Sequence, residues 1–150
     1  MRQGHTVRRR GNAVVEFAVA STFLLPVLIG VWQFGYTFYL YNALESAVRN
    51  GARYASLAAY DGGSQAGAGF KARVKNMVVY GDPNPTGSPA PVVAGLLTAN
   101  VQVVETFNGI APAKITVGIS GFAVRTFFQT YNLTGKPKCS FDYMGRFTVP

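Results

Sequence analysis

From Phe17 to Leu44 the chain carries no charged side chain. Wound as an α-helix, that run is about 42 Å long, against a hydrocarbon core of about 30 Å. A helix satisfies its own backbone hydrogen bonds, which is what a lone segment must do to cross a bilayer. The run is graded along its length. Phe17 to Val31 is rich in Leu, Val, Ile and Ala; beyond it Trp32, Phe34, Tyr36, Phe38, Tyr39 and Tyr41 crowd together. Amphipathic rings settle at the membrane–water boundary, so the spacing predicts an aromatic belt there and a span over about residues 14–36. Arg2, Arg8, Arg9 and Arg10 precede the run. The positive-inside rule then predicts a cytoplasmic N-terminus, a single pass and an exported C-terminal part. The rival reading, a cleaved secretory signal peptide, fits less well. The run exceeds the apolar region of about 7–15 residues that such a peptide carries, and bulky aromatics follow it in place of an A-x-A exit. Pro26 removes one backbone donor in mid-span, which predicts a kink near Thr22–Pro26.

Composition agrees with a membrane chain. Charged residues make up 13% of the sequence, against about 25% in soluble domains. The 150 residues suffice for one modest domain besides the span. The net charge of +8 is scattered after the leading arginines, with no basic stripe interleaved with aromatics. A nucleic-acid groove is therefore not expected. His5 is the only histidine and precedes the run, which removes Ser/His/Asp and Cys/His arrangements and histidine metal sites from the exported part. Glu45, Asp61, Asp82, Glu105 and Asp142 are widely spaced; a pair such as Glu105 and Asp142 on neighbouring strands could form a carboxylate dyad, but nothing in the sequence points to one. No enzyme activity, metal or cofactor is expected. Cys139, the single cysteine, has no intrachain partner and reads as a small, partly buried hydrophobe.

Glu16 stands at the start of the uncharged run, where a carboxylate is costly unless it has a partner. One reading pairs it with an arginine at headgroup level. The other reads Arg8-Arg9-Arg10-Gly11, four further residues and then Glu16-Phe17 as a pattern that resembles a type IV prepilin. The resemblance implies cleavage between Gly11 and Asn12 by a membrane aspartyl peptidase, the prepilin peptidase. Cleavage would create a positive α-amino group at a helix N-terminus, where the macrodipole disfavours it. A carboxylate one turn along, on the same chain or a neighbour, would neutralise it.

The N-terminal third also resembles the TadE-like family of the tight-adherence pilus system. The residues that carry this are Arg9-Arg10-Gly11, Val15-Glu16-Phe17-Ala18, Leu24-Leu25-Pro26, Phe34-Gly35 and Gly51-Ala52-Arg53-Tyr54-Ala55. The likeness covers about residues 8–59; beyond Tyr60 only the general plan is shared. It implies a structural minor pilin or pseudopilin in the bacterial inner membrane, its domain periplasmic or, in a filament, extracellular. Implied partners are the prepilin peptidase, other pilin-like subunits and an inner-membrane assembly platform, in homo- or hetero-oligomers. Many pilins carry a C-terminal disulfide, from which the single cysteine departs. The alternative is an uncleaved single-pass protein whose exported domain binds a ligand or scaffolds an envelope complex.

The expected organisation is a leader over 1–11, a long helix over 12–60 and an exported domain over 61–150. Glu45 and Arg49 form a favourable i,i+4 pair beyond the span. Ala43, Ala47, Gly51, Ala55 and Ala59 recur every four residues, a stripe that permits close approach of another backbone. Packing between subunits and packing on the chain's own exported domain are both open. A Gly-rich loop over 61–69 leads to a short helix over 70–80 with Phe70, Val74, Met77 and Val78 on one face. The Gly67-x-Gly69-x-x-Ala72 run has no strand before it and is not read as a dinucleotide site. Three strands are expected: one over 100–108, one through Ile115, Val117 and Ile119, and one through Phe141, Tyr143 and Phe147. Phe122–Pro137, with Phe127, Phe128 and Tyr131, is expected in the core, with an exposed partner surface as the alternative. The fold class is α+β: a long helix continuing into a small domain with a short antiparallel sheet.

Overall fold

The computed structural model describes residues 10–60, 67–109, 111–126 and 129–146. His5, the arginines before Arg10, the start of the Gly-rich loop, Phe127, Phe128 and Phe147 lie outside the described residues. The elements in chain order are helix α1 (Arg10–Leu57), helix α2 (Ala68–Tyr80), a 3-10 turn (Thr98–Asn100) and strands β1 (Val101–Asn108), β2 (Ala111–Ile119), β3 (Phe122–Arg125), β4 (Thr130–Leu133) and β5 (Lys138–Asp142). The chain divides into two compact units, Met1–Tyr36 and Thr37–Pro150. The expected α+β class, a long apolar helix followed by a small antiparallel domain, is what the structure shows.

In the first unit, α1 continues through Pro26. The Thr22 hydroxyl donates to the Ala18 carbonyl at 2.9 Å, one turn before the proline. No residue from Ala13 to Tyr36 is buried.

The second unit condenses on the last turns of α1. Leu44, Ala47, Val48, Ala52 and Ala55 are buried together with Phe70, Val74, Val78 and Val79 of α2 and with Val101, Ile115, Val117 and Ile119 of the sheet. Alternation explains the sheet's part, because side chains two apart share a face. Val101 pairs with Ile119, Val103 with Val117 and Glu105 with Ile115; across β2's other edge Cys139 opposes Val117 and Phe141 opposes Ile115. Cys139 is thus half-buried beside the core because its strand parity turns it inward. The sheet order is β1-β2-β5, and β3 and β4 form a separate two-stranded ribbon.

Four expectations are refined. α2 buries Val79, while Met77 is only half-buried. Among the described residues five strands replace three, and the last ends at Asp142, so Tyr143 follows it rather than lying within it. The segment from Phe122 is split: Phe122 and Val124 of β3 enter the core, whereas Tyr131 on β4 is exposed. Tyr131 opposes Val124 and shares its face, so burial here follows the strand and not the parity: β3 carries the core residues, β4 is exposed except for the half-buried Leu133, and neither whole-segment reading applies. Finally, Glu105 and Asp142 cannot form a dyad. β2 lies between their strands, and Asp142 opposes Lys114, one residue out of step with the Glu105–Ile115–Phe141 row, so the two carboxylates face opposite sides of the sheet. Glu105 instead lies 3.5 Å from Lys71 Nζ, and Asp142 lies 3.7 Å from Lys114 Nζ.

Turns and helix ends are closed by specific bonds. Gly81 ends α2 with φ 73°, and its N–H donates to the Met77 carbonyl at 3.1 Å. A left-handed residue there satisfies an orphan carbonyl at no side-chain cost. The Asn100 side chain accepts from Leu97 N–H and donates to the Gly121 carbonyl, tying the 3-10 turn to the β2–β3 link. The end of α1 is laced by the C-terminal segment. Met144 N–H donates to the Ser56 carbonyl at 2.8 Å, and the Tyr143 hydroxyl is placed 2.9 Å from both the Ala58 and Arg146 carbonyls. Tyr60 contributes the ring around which Phe70, Phe107 and Tyr143 gather.

Two predictions concern this packing. A Cβ on Gly51 would overlap the Val78 Cγ2 methyl. Gly51→Ala adds up to about 1 kcal/mol of helix propensity, but overpacking costs about 1–3 kcal/mol. The substitution is expected to lower the unfolding temperature of the detergent-solubilised chain and to become neutral or stabilising in a Val78→Ala background. The same loss in both backgrounds would refute the contact. Burial raises the Tyr143 pKa above 10.0, and a backbone hydrogen bond lowers it in part. Its raised folded value means that stability is intact below the unfolded value and falls as pH rises through and above about 10. Thermal unfolding followed from pH 8 to 11 should show that fall, and it should be shallower in Tyr143→Phe.

Candidate assembly helix

The processing-site and helix-packing residues singled out in the sequence all map to α1 or its immediate end. The Gly11–Asn12 bond lies in the first turn of α1. Glu16 and Phe17 follow within the next turn, both exposed. Around them and beyond, large apolar side chains stand on every side of the helix: Phe17 is 74% exposed, Phe23 73% and Phe34 71%. A helix that is apolar all round is not stable facing water and calls for an apolar surround. Among the described residues this is one helix long and apolar enough to cross a membrane, and it lies near the N-terminus. Gly30 and Gly35 leave open space beside the backbone. Trp32 and Tyr36, one turn apart, stack nearly parallel at 6.0 Å.

The small-residue stripe has a different environment. Ala43 is half-buried, and Ala47, Gly51 and Ala55 are buried in the second unit's core. Gly51 receives the Val78 side chain, so this stretch of the stripe is occupied within the chain. Ala59 lies past Leu57, where α1 ends, and is exposed; its carbonyl accepts from Arg73 Nη2 at 3.3 Å. The spacing of four therefore outruns the helix by one step. The Gly51-Ala52-Arg53-Tyr54-Ala55 block divides by side. Gly51, Ala52 and Ala55 face the core, while Arg53 and Tyr54 join Asn50, Leu57, Ala58 and Met77 in lining an open, mainly apolar groove. Arg49 Nη2 meets Glu45 Oε1 at 2.8 Å, the expected i,i+4 pair.

Two features escaped sequence reasoning. The aromatic cluster around Tyr60 joins residues far apart in sequence, and no local period marks it. The Lys136-Pro137-Lys138 turn reaches Tyr41 and Glu45 of α1 across a shallow groove, again a long-range juxtaposition. Among the described residues, no group of three His, Cys, Asp or Glu side chains comes together.

Trp32 is the chain's single tryptophan and offers a direct test of the span. In bilayers with brominated acyl chains its emission should be quenched, more by bromines near the headgroup than by bromines at the chain end. Unquenched emission in reconstituted protein would remove the boundary assignment.

No curated protein and no solved structure matches the chain. Residues 11–53 match the family model described as TadE-like protein. The segment that holds the Gly11–Asn12 step, the uncharged run and Gly51-Ala52-Arg53 is therefore TadE-like, as its resemblance led one to expect.

Proposed function

We propose that this chain is a pilin-like structural subunit for assembly of a tight-adherence type IV pilus or a related envelope machine. The observation that carries the reading is the coincidence on one helix of the TadE-like match over residues 11–53 with the apolar stretch from Ala13 to Tyr36, in which no residue is buried. Bilayer lipid and the helices of neighbouring subunits both provide the surround that such a helix requires. In this reading the chain sits in the bacterial inner membrane with its N-terminus cytoplasmic. The second unit lies in the periplasm or on the outside of a filament.

Processing follows from the same reading. A prepilin peptidase cuts after Gly11, and Asn12 becomes the first residue. The new amine, one turn from Glu16, is matched by that carboxylate on the same chain or on a neighbour, which sets subunit register. Pro26 and the glycines give the apolar segment room to adapt as it moves from lipid to protein contacts. The buried part of the stripe keeps the second unit fixed to its own helix, and other pilin-like subunits and an assembly platform meet the exposed part of α1.

Co-expression with a prepilin peptidase followed by N-terminal sequencing tests the processing step. A mature chain beginning at Asn12 is expected; an intact Met1 in the presence of active peptidase would leave the uncleaved single-pass protein as the better reading. Glu16→Ala is expected to insert into the membrane normally and to fail in assembly, scored by recovery of the subunit in the sheared filament fraction. Normal incorporation of that variant would sink the register role.

A further inference from the structure

Lys136 and Lys138 flank a buried proline at the entrance to β5. Pro137 is held by its carbonyl, which accepts from Ile119 N–H at 3.1 Å, and Lys138 pairs with Gly118 on β2. The backbone of the turn is thus fixed, and both lysine side chains are exposed. Among the described residues neither lysine has an ion-pair partner. The turn shares a groove with Tyr41 and Glu45. Glu45 is the one acid lining that groove, and Arg49 already engages it at 2.8 Å. Among the described residues, two cationic charges are therefore left over beside Tyr41.

Tyr41 gives this surplus its meaning. It is the last ring of the belt that begins at Trp32, in the uncharged run that ends at Leu44. Counted along a helix, Tyr41 lies about 7 Å beyond Tyr36, comparable with the depth of one headgroup layer. A lysine stem can lie along apolar surface while its ammonium reaches phosphate. A second copy of the chain is the weaker occupant, because it brings the same unmatched lysines and a net charge of +8.

We propose that the Lys136-Pro137-Lys138 turn is a second membrane contact, which docks on the anionic phospholipid headgroups of the bilayer that the uncharged run of α1 crosses. The inference rests on the membrane reading of that run. Docking ties the turn to the headgroup layer. Exchange of lipid for neighbouring subunits during assembly releases it.

The test uses the full chain in nanodiscs of phosphatidylcholine alone or with about one third phosphatidylglycerol. Lysine acylation is followed by mass spectrometry, residue by residue. Near a charged surface each lysine contributes about a five-fold bias toward the bound state at low salt. Acylation of Lys136 and Lys138 should slow at least several-fold with phosphatidylglycerol, with Lys75 and Lys114 unchanged, and 0.5 M salt (roughly a 4 Å screening length) should abolish the difference. Lys136→Gln should weaken the protection of Lys138. Equal rates in the two lipids, or uniform slowing of all four lysines, would overturn the proposal. Protection that grows with protein density in phosphatidylcholine alone would assign the turn to a second copy and overturn it as well. Alkaline extraction of the same chain from vesicles separates the two levels. A chain that is extracted contradicts the membrane reading itself, whereas a retained chain with unprotected lysines contradicts only the docking.

Discussion

The face of α1 formed by Leu44, Ala47, Val48, Ala52 and Ala55 is the surface on which the second unit assembles its core. A unit of this size buries only a modest fraction of its surface and cannot spare a wall of its core. Here the wall is supplied by the same helix whose earlier turns expose Phe17, Phe23 and Phe34. The small side chains decide how closely α2 can approach. Gly51 accepts the Val78 methyl in the space where a Cβ would sit. Close approach gains dispersion contacts and excludes water along the whole contact, which a larger residue would forfeit.

This division along one helix links the fold to the proposed role. A filament subunit must present an apolar rod to lipid and then to its neighbours while its exported part stays folded. The buried row does the second job without drawing on the first, because the two stretches have separate surroundings. The lacing of residues 143–146 onto the end of α1, through Met144 N–H and the Tyr143 hydroxyl, closes the carbonyls that the helix end would otherwise leave unpaired. Those bonds also explain why the helix stops at Leu57 although small residues continue to Ala59: Tyr60 turns away to pair its N–H with the Arg146 carbonyl.

Much of this was legible in the residues alone. The uncharged run, its aromatic end and the TadE-like blocks are local patterns, and a helix longer than a bilayer is thick has few alternatives. The alternation through Ile115, Val117 and Ile119 marked β2 for the same reason. What escaped was set by partners distant in sequence. No period tells that Tyr143 leaves its strand to reach Ala58, that β2 separates Glu105 from Asp142, or that a lysine turn at 136–138 meets Tyr41. The stripe shows the boundary most clearly. Its spacing of four announced close packing, but small residues serve partners within and between chains equally well, so only the fold could place Val78 against Gly51.

Hydrogen exchange of the intact chain in lipid bilayers tests most directly whether one helix is both membrane segment and core wall. Amides from Phe17 to Tyr36 are expected to exchange slowly only while lipid is present. Those from Leu44 to Ser56 are expected to exchange with the global opening of the domain, at the free energy shared by Ile115 and Val117. Exchange of the Leu44–Ser56 amides by local fraying, well ahead of β2, would contradict the account.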